Sequence, residues 1–151
     1  MPATNETTID LLNSLLRGEL AAVETYRQAE AKFDDLLEAE LLKQVTRDHQ
    51  QVGAQLRDRV TRSGGKAERN SEVWSAFTRV AEEGAMMSGK TAALKALKEG
   101  EQHGVSSYEA ALKDEGLPPE CQNLIRNTLL PRCMQHIYSL NQMIDLQIDL
   151  N

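Results

Sequence analysis

Leu12-Asn13-Ser14-Leu15-Leu16-Arg17-Gly18-Glu19-Leu20-Ala21-Ala22-Val23-Glu24-Thr25-Tyr26 is the stretch that decides the fold. At about 100° per residue, Leu12, Leu16, Leu20, Val23 and Tyr26 fall on one face, and Ile9 and Phe33 continue the stripe. The spacing predicts a helix from Thr8 to about Phe33. Glu19 sits near the centre of that apolar stripe. Burying a carboxylate without a partner costs several kcal/mol, so this position calls for a partner from elsewhere in the chain.

Outward from this helix the pattern repeats. Asp34-Asp35 supplies a turn and the next N-cap. A second helix then carries Leu42, Val45, Val52, Leu56 and Val60 inward and ends at Ser63-Gly64-Gly65. His49 lies in its stripe. From Gly64 to about Ser88 the rhythm changes. Asn70 or Ser71 is expected to cap a short helix through Trp74, Phe77 and Val80, and Gly84, Met86-Met87 and Gly89 then break the periodicity. Such a connection is long for adjacent antiparallel helices and suits a crossover that lets the second and third long helices run parallel. The third spans Gly89 to Lys113 with Leu94, Leu97, Val105, Tyr108 and Leu112 inward. Glu101 shares that stripe, whereas His103 points about 160° away, toward solvent. Gly116-Leu117-Pro118-Pro119 turns the chain into a fourth helix, running from Pro119 to the C-terminus with a bend near Pro131. His136 lies inward there, between Leu129, Cys133, Leu140 and Met143. No internal repeat is evident. The expected fold is all-α: one four-helix-bundle domain over residues 1–151, with a long crossover containing a short helix between the second and third long helices.

Composition agrees. The chain has 151 residues, 40% of them hydrophobic and 26% charged, which marks a globular protein. Leu and Ala supply most of the apolar content, favouring helix over strand. The net charge of −6 argues against a nucleic-acid or anionic-membrane partner. Arg57, Arg59 and Arg62 read as a solvated helix face. No apolar stretch is long enough to span a bilayer, and Met1 to Glu6 lacks the basic and apolar regions of a signal peptide. Cys121 and Cys133 share one helix at a separation of ~18 Å, too far for a disulfide. A reducing, cytoplasmic setting is expected.

Glu19, His49, Glu101 and His136 thus occupy the inward face of four different helices. Glu19 and His49 lie equally far from the Asp34 turn, and Glu101 and His136 at similar distances from Leu117, so each hairpin brings its pair level. Helix bundles build metal sites from such inward carboxylates and imidazoles. The alternative for any single position is a satisfied core histidine, or a glutamate paired with a core tyrosine such as Tyr26. Asp48 points about 100° away from His49 and is set aside, as is Glu30, which lies about 16 Å along the helix from Glu19. Glu24 reads as surface.

The quoted first-helix stretch, Leu-Asn-x-Leu-Leu-x-x-Glu with a tyrosine seven residues on, resembles the first helix of a bacterioferritin, whose iron-ligand glutamate falls on Glu19. Glu101-Gln102-His103-Gly104 is similar to the third-helix segment of that family. Thr46-Arg47-Asp48-His49 and Cys133-Met134-Gln135-His136 resemble its two Glu-x-x-His motifs. The resemblance covers nearly the whole chain and implies the ferritin-like superfamily of bacterioferritins and rubrerythrins. More narrowly, Leu97 to Leu112 looks like a bacterial ferritin-like family known as a domain of unknown function. It implies metal ligation by Glu19, His49, Glu101 and His136. In that pattern the glutamate of each Glu-x-x-His bridges two irons, and here Thr46 and Cys133 stand in those places. The implied centre is therefore a degenerate di-iron site: one divalent metal (iron, zinc or manganese) on two glutamates and two histidines, without efficient ferroxidase chemistry. The competing expectation is a non-enzymatic bundle, acting as a stress-associated or partner-binding module and retaining a buried polar remnant of the site. The partner is open, a homodimer among the choices.

Overall fold

The computed structural model describes residues 5–70, 72–83 and 89–149. These residues are helical throughout their regular structure, with no strand among them. The elements are α1 (Asn5–Glu30), α2 (Leu36–Arg62), α3 (Ser75–Glu83), α4 (Gly89–Leu112), α5 (Pro119–Leu124), a π-helical turn (Ile125–Leu129) and α6 (Leu130–Asp149). No helix among the described residues is long and apolar enough to cross a membrane.

The boundaries follow local chemistry. α1 ends at Glu30 rather than at Phe33, because the chain tightens there: Lys32 N–H donates to the Ala29 carbonyl at 2.9 Å and Phe33 N–H to that of Glu30 at 3.2 Å. Phe33 still reaches the core from beyond the helix end. Asp35 caps α2 as expected, its Oδ1 accepting from Leu37 N at 2.9 Å and Glu38 N at 3.1 Å. At the other end Gly64 takes φ +87°, and Gly65 N–H reaches back to the Val60 carbonyl at 2.9 Å. That is a Schellman stop, which needs the left-handed residue glycine supplies.

The connection from α2 to α4 is strapped along α1. Asn13 donates to the Lys66 carbonyl at 3.0 Å and accepts from Glu68 N–H at 2.9 Å, and Thr25 Oγ1 accepts from Trp74 N–H at 3.0 Å. The short helix begins at Ser75, later than Asn70 or Ser71 would place it, since Thr25 holds the Trp74 amide outside the helix. Ser71 and the expected break at Gly84 to Ser88 lie outside the described residues. The crossover returns the chain to the end of the bundle where α2 starts: Lys90 lies 3.9 Å from Glu38 and over the Phe33 ring. α4 therefore runs parallel to α2 and antiparallel to α1. α6 runs back against α2, with Gln147 bonded to Glu38, His136 to Asp48 and Arg132 to Gln51.

Where a bend near Pro131 is expected, the helix departs from α geometry one turn earlier, in the π-helical Ile125–Leu129. Pro131 has no N–H to offer Asn127, and its ring crowds that carbonyl. The wide turn also serves packing. Cys121, Ile125, Leu129 and Cys133 are all buried at successive four-residue intervals. An α-helix would rotate such a series by about 40° per step, and the π turn absorbs that drift.

Two apolar clusters result. One contains Tyr26, Phe33, Leu42, Phe77, Leu97 and Leu140. The other contains Leu12, Leu16, Leu56, Val60, Ile125 and Leu129. On each long helix the residue between these clusters is polar: Glu19, His49, Glu101 and His136. Trp74 closes the side of this layer by lying on Gly100, where a Cβ would stand 2.1 Å from its ring. In Gly100→Ala the indole has to move. We expect a loss of about 1–3 kcal/mol in chemical denaturation and a red shift in emission, which Trp74, the single tryptophan, reports directly.

Candidate metal centre

All four polar residues meet in one buried cluster, exposed by 6% (Glu19), 4% (His49), 1% (Glu101) and 3% (His136). His49 is its hub. Its Nδ1 lies 2.5 Å from Glu19 Oε2 and its Nε2 lies 2.6 Å from Glu101 Oε1. Both ring nitrogens face carboxylates, so both donate and the ring is an imidazolium. Burial pushes the His49 pKa down, but Glu101 and Glu19 outweigh it and hold the pKa well above 6.5. Burial likewise opposes ionisation of Glu101. The charge and hydrogen bonds of His49 and His136 prevail and bring its carboxyl from 4.5 to about 2.

Two tyrosines complete the carboxylate shells in a crossed fashion. Tyr26 of α1 donates to Glu101 of α4 at 2.9 Å, and Tyr108 of α4 donates to Glu19 of α1 at 2.5 Å. Burial, then the charge of the accepting glutamate, raises both phenols well above 10, so they remain donors. The crossing gives meaning to a spacing that two helices share. Gly18-Glu19 … Val23 … Tyr26 and Gly100-Glu101 … Val105 … Tyr108 have the same spacing on two antiparallel helices. The shared pattern is short, and only the facing of α1 and α4 gives it meaning.

His136 differs from His49. Its Nε2 lies 2.9 Å from Asp48 Oδ2, and its Nδ1 stands 3.3 Å from Glu101 Oε1. Among the described residues Glu101 Oε2 and His136 Nδ1 are the buried side-chain polar atoms without a hydrogen-bond partner. His49, Glu101 and His136 each offer a ligand atom, and these atoms lie within 4.8 Å of one another. Glu19 belongs to the cluster through the other side of the His49 ring.

Helical phase alone points Asp48 away from His49, yet Asp48 is part of the network. The reason is that α2 faces two neighbours: the position 100° from His49 looks toward α6, where His136 waits. Glu30 stays apart from the cluster, accepting from Thr46 Oγ1 at 2.8 Å. Thr46 also donates to the Leu42 carbonyl at 2.9 Å. The Cys133 thiol, buried beside Glu101 and Glu19, has its pKa pushed far up by burial first and those charges second. His103 is exposed, as expected, and Glu24 is half-buried rather than on the surface.

An open cavity of about 550 Å³ between α1 and α4 descends to Glu19, His49, Glu101 and Cys133, with Arg17, Glu68, Glu72 and His103 also along it. What emerges is a helical bundle with a buried His/Glu cluster able to hold a metal ion. The chain belongs to the family described as Domain of unknown function (DUF2383), whose model matches residues 7–114. The matched stretch carries Glu19, Tyr26, His49, Glu101 and Tyr108; His136 lies beyond it. No curated protein and no solved structure matches the chain.

The charge network sets a pH response for the metal-free protein. Glu101 is depressed from 4.5 to about 2, so its contribution is present above 4.5 and is lost as the pH falls toward 2. His49, raised above 6.5, contributes fully below 6.5 and loses that contribution as the pH rises through its raised value. Urea denaturation at a series of pH values should show stability declining below about pH 4.5, with a shallower decline in Glu101→Gln.

Proposed function

We propose that this protein is a ferritin-like bundle that binds one divalent metal ion through His49, Glu101 and His136. The observation that carries this reading is a pair of buried polar atoms left without hydrogen-bond partners. Glu101 Oε2 and His136 Nδ1 stand so beside an imidazole that can also ligate. Oxygen and imidazole donors suit iron, zinc or manganese. Glu19 acts on the second nitrogen of His49, orienting the ring as a carboxylate typically does for a metal-bound histidine. Asp48 does the same for Nε2 of His136.

The ferritin-like assignment rests on four long helices with a metal-capable residue midway along each, and on a strapped crossover that makes α2 and α4 parallel. A second ion would need bridging carboxylates. Thr46 is committed to Glu30 and Leu42, and Cys133 is a protonated thiol, so efficient two-iron oxidation of Fe(II) is not part of this reading. The two free, buried cysteines fit a reducing, cytoplasmic compartment.

One observation favours a second reading, in which the cluster is a buried polar network in a non-enzymatic partner-binding bundle. His49 already balances much of the charge of Glu19 and Glu101 without any ion. Thermal unfolding separates the two. With free Zn(II) or Mn(II) at about a hundred times Kd, binding adds about 2.7 kcal/mol and raises Tm. His136→Ala and Glu101→Gln should abolish that rise. An unchanged Tm, with under roughly a tenth of an equivalent of metal retained, would leave the polar-network reading.

A further inference from the structure

The cavity between α1 and α4 is larger than an ion needs. At about 550 Å³ it lies in the range of small-molecule sites, roughly 300–1,000 Å³. Small residues line both walls: Gly18, Ala21 and Ala22 on α1 and Gly104 on α4. A Cβ on Gly18 would meet nothing within 4 Å, and one on Gly104 would meet only Cys133 Sγ, at 3.7 Å. Neither glycine is needed there for backbone conformation, since neither has a positive φ. Inside a helix each costs about 0.5–1 kcal/mol relative to alanine.

The floor of this cavity includes Glu101 and His49, two of the three residues assigned to the ion, and Glu101 Oε2 is the unpartnered buried atom. Three protein ligands leave a four- to six-coordinate divalent ion with positions to fill. His136 is braced from the other side by Asp48 on α2. We propose that the cavity admits a small neutral nitrogen or oxygen donor, which binds the ion from the α1/α4 side; this rests on the metal reading above. Charge decides the class of ligand. Glu19, Glu68, Glu72 and Glu101 line the cavity, and Arg17, itself 3.9 Å from Glu68, together with a bound divalent ion offsets three of these four negative charges, leaving the lining net negative. An anionic donor meets net repulsion on the way in, and a neutral one does not.

The test uses the full chain loaded with Co(II), whose visible bands report its ligands, and imidazole and azide as probes. Imidazole should shift the bands saturably, and azide should bind at least tenfold more weakly. Gly18→Leu and Gly104→Leu, each filling the cavity from one wall, should weaken the imidazole response at least tenfold while leaving the ligand-free cobalt spectrum unchanged. Gly18→Leu is the safer variant because its side chain enters open space. The inference is overturned if imidazole leaves the bands unmoved or strips the cobalt. It is also overturned if both leucine variants respond like the wild type, or if azide binds as tightly as imidazole. Absence of cobalt bands in the wild type would instead overturn the metal reading itself, and this inference with it.

Discussion

His49 is held between Glu19 and Glu101, and the arrangement of the bundle's middle depends on that contact. Glu19, His49 and Glu101, from α1, α2 and α4, are each at most 6% exposed at this level. Each ion carries a desolvation cost of several kcal/mol, which is offset only when geometry and hydrogen bonding are both good. The crossed tyrosines supply the remaining donors, Tyr26 to Glu101 and Tyr108 to Glu19. Slipping any one helix along its axis would leave a buried charge uncompensated. The polar layer therefore fixes the register of three helices, while the apolar clusters on either side supply the bulk of the burial.

That layer has two unlike sides. Toward α6, Asp48 and His136 pair in a part-buried contact that ties the fourth long helix to α2. Toward the crossover, Trp74 stacks edge-on to Tyr26 and His49, with ring centroids 5.8 and 6.4 Å away, and rests on Gly100. The crossover is pinned beside it by Asn13 and Thr25. The cluster is consequently walled off where the aromatic rings stand and reached by an open cavity along Gly18 and Gly104. Metal binding at such a place requires His49 to give up a proton, so affinity should be coupled to pH.

Much of this is legible in the sequence. Helical phase locates all four long helices, and an inward polar residue on each is enough to place Glu19, His49, Glu101 and His136 in one cluster. The cap at Asp35 and the stop at Gly64 are local chemistry, visible in the residues themselves. Other features depend on what a helix faces, which phase alone does not carry. Asp48 escapes such a reading because its partner lies on α6, and the shared Glu–Tyr spacing because its two tyrosines exchange partners between α1 and α4. The π turn does leave a trace, in the four-residue spacing of Cys121, Ile125, Leu129 and Cys133. Phe33 marks the opposite lesson: a residue can fit the stripe of a helix and pack into the core after that helix has ended.

Whether the cluster is a network complete in itself or the protein part of a metal centre turns on Glu101 Oε2 and His136 Nδ1. The most direct measurement is anomalous X-ray diffraction from crystals grown with Mn(II) or Zn(II), recorded on both sides of the metal absorption edge. The metal reading predicts one peak about 2 Å from donor atoms of His49, Glu101 and His136, with Glu19 still on the far nitrogen of His49. A map with no peak at this cluster, in a crystal where His49 still joins Glu19 to Glu101, would contradict it.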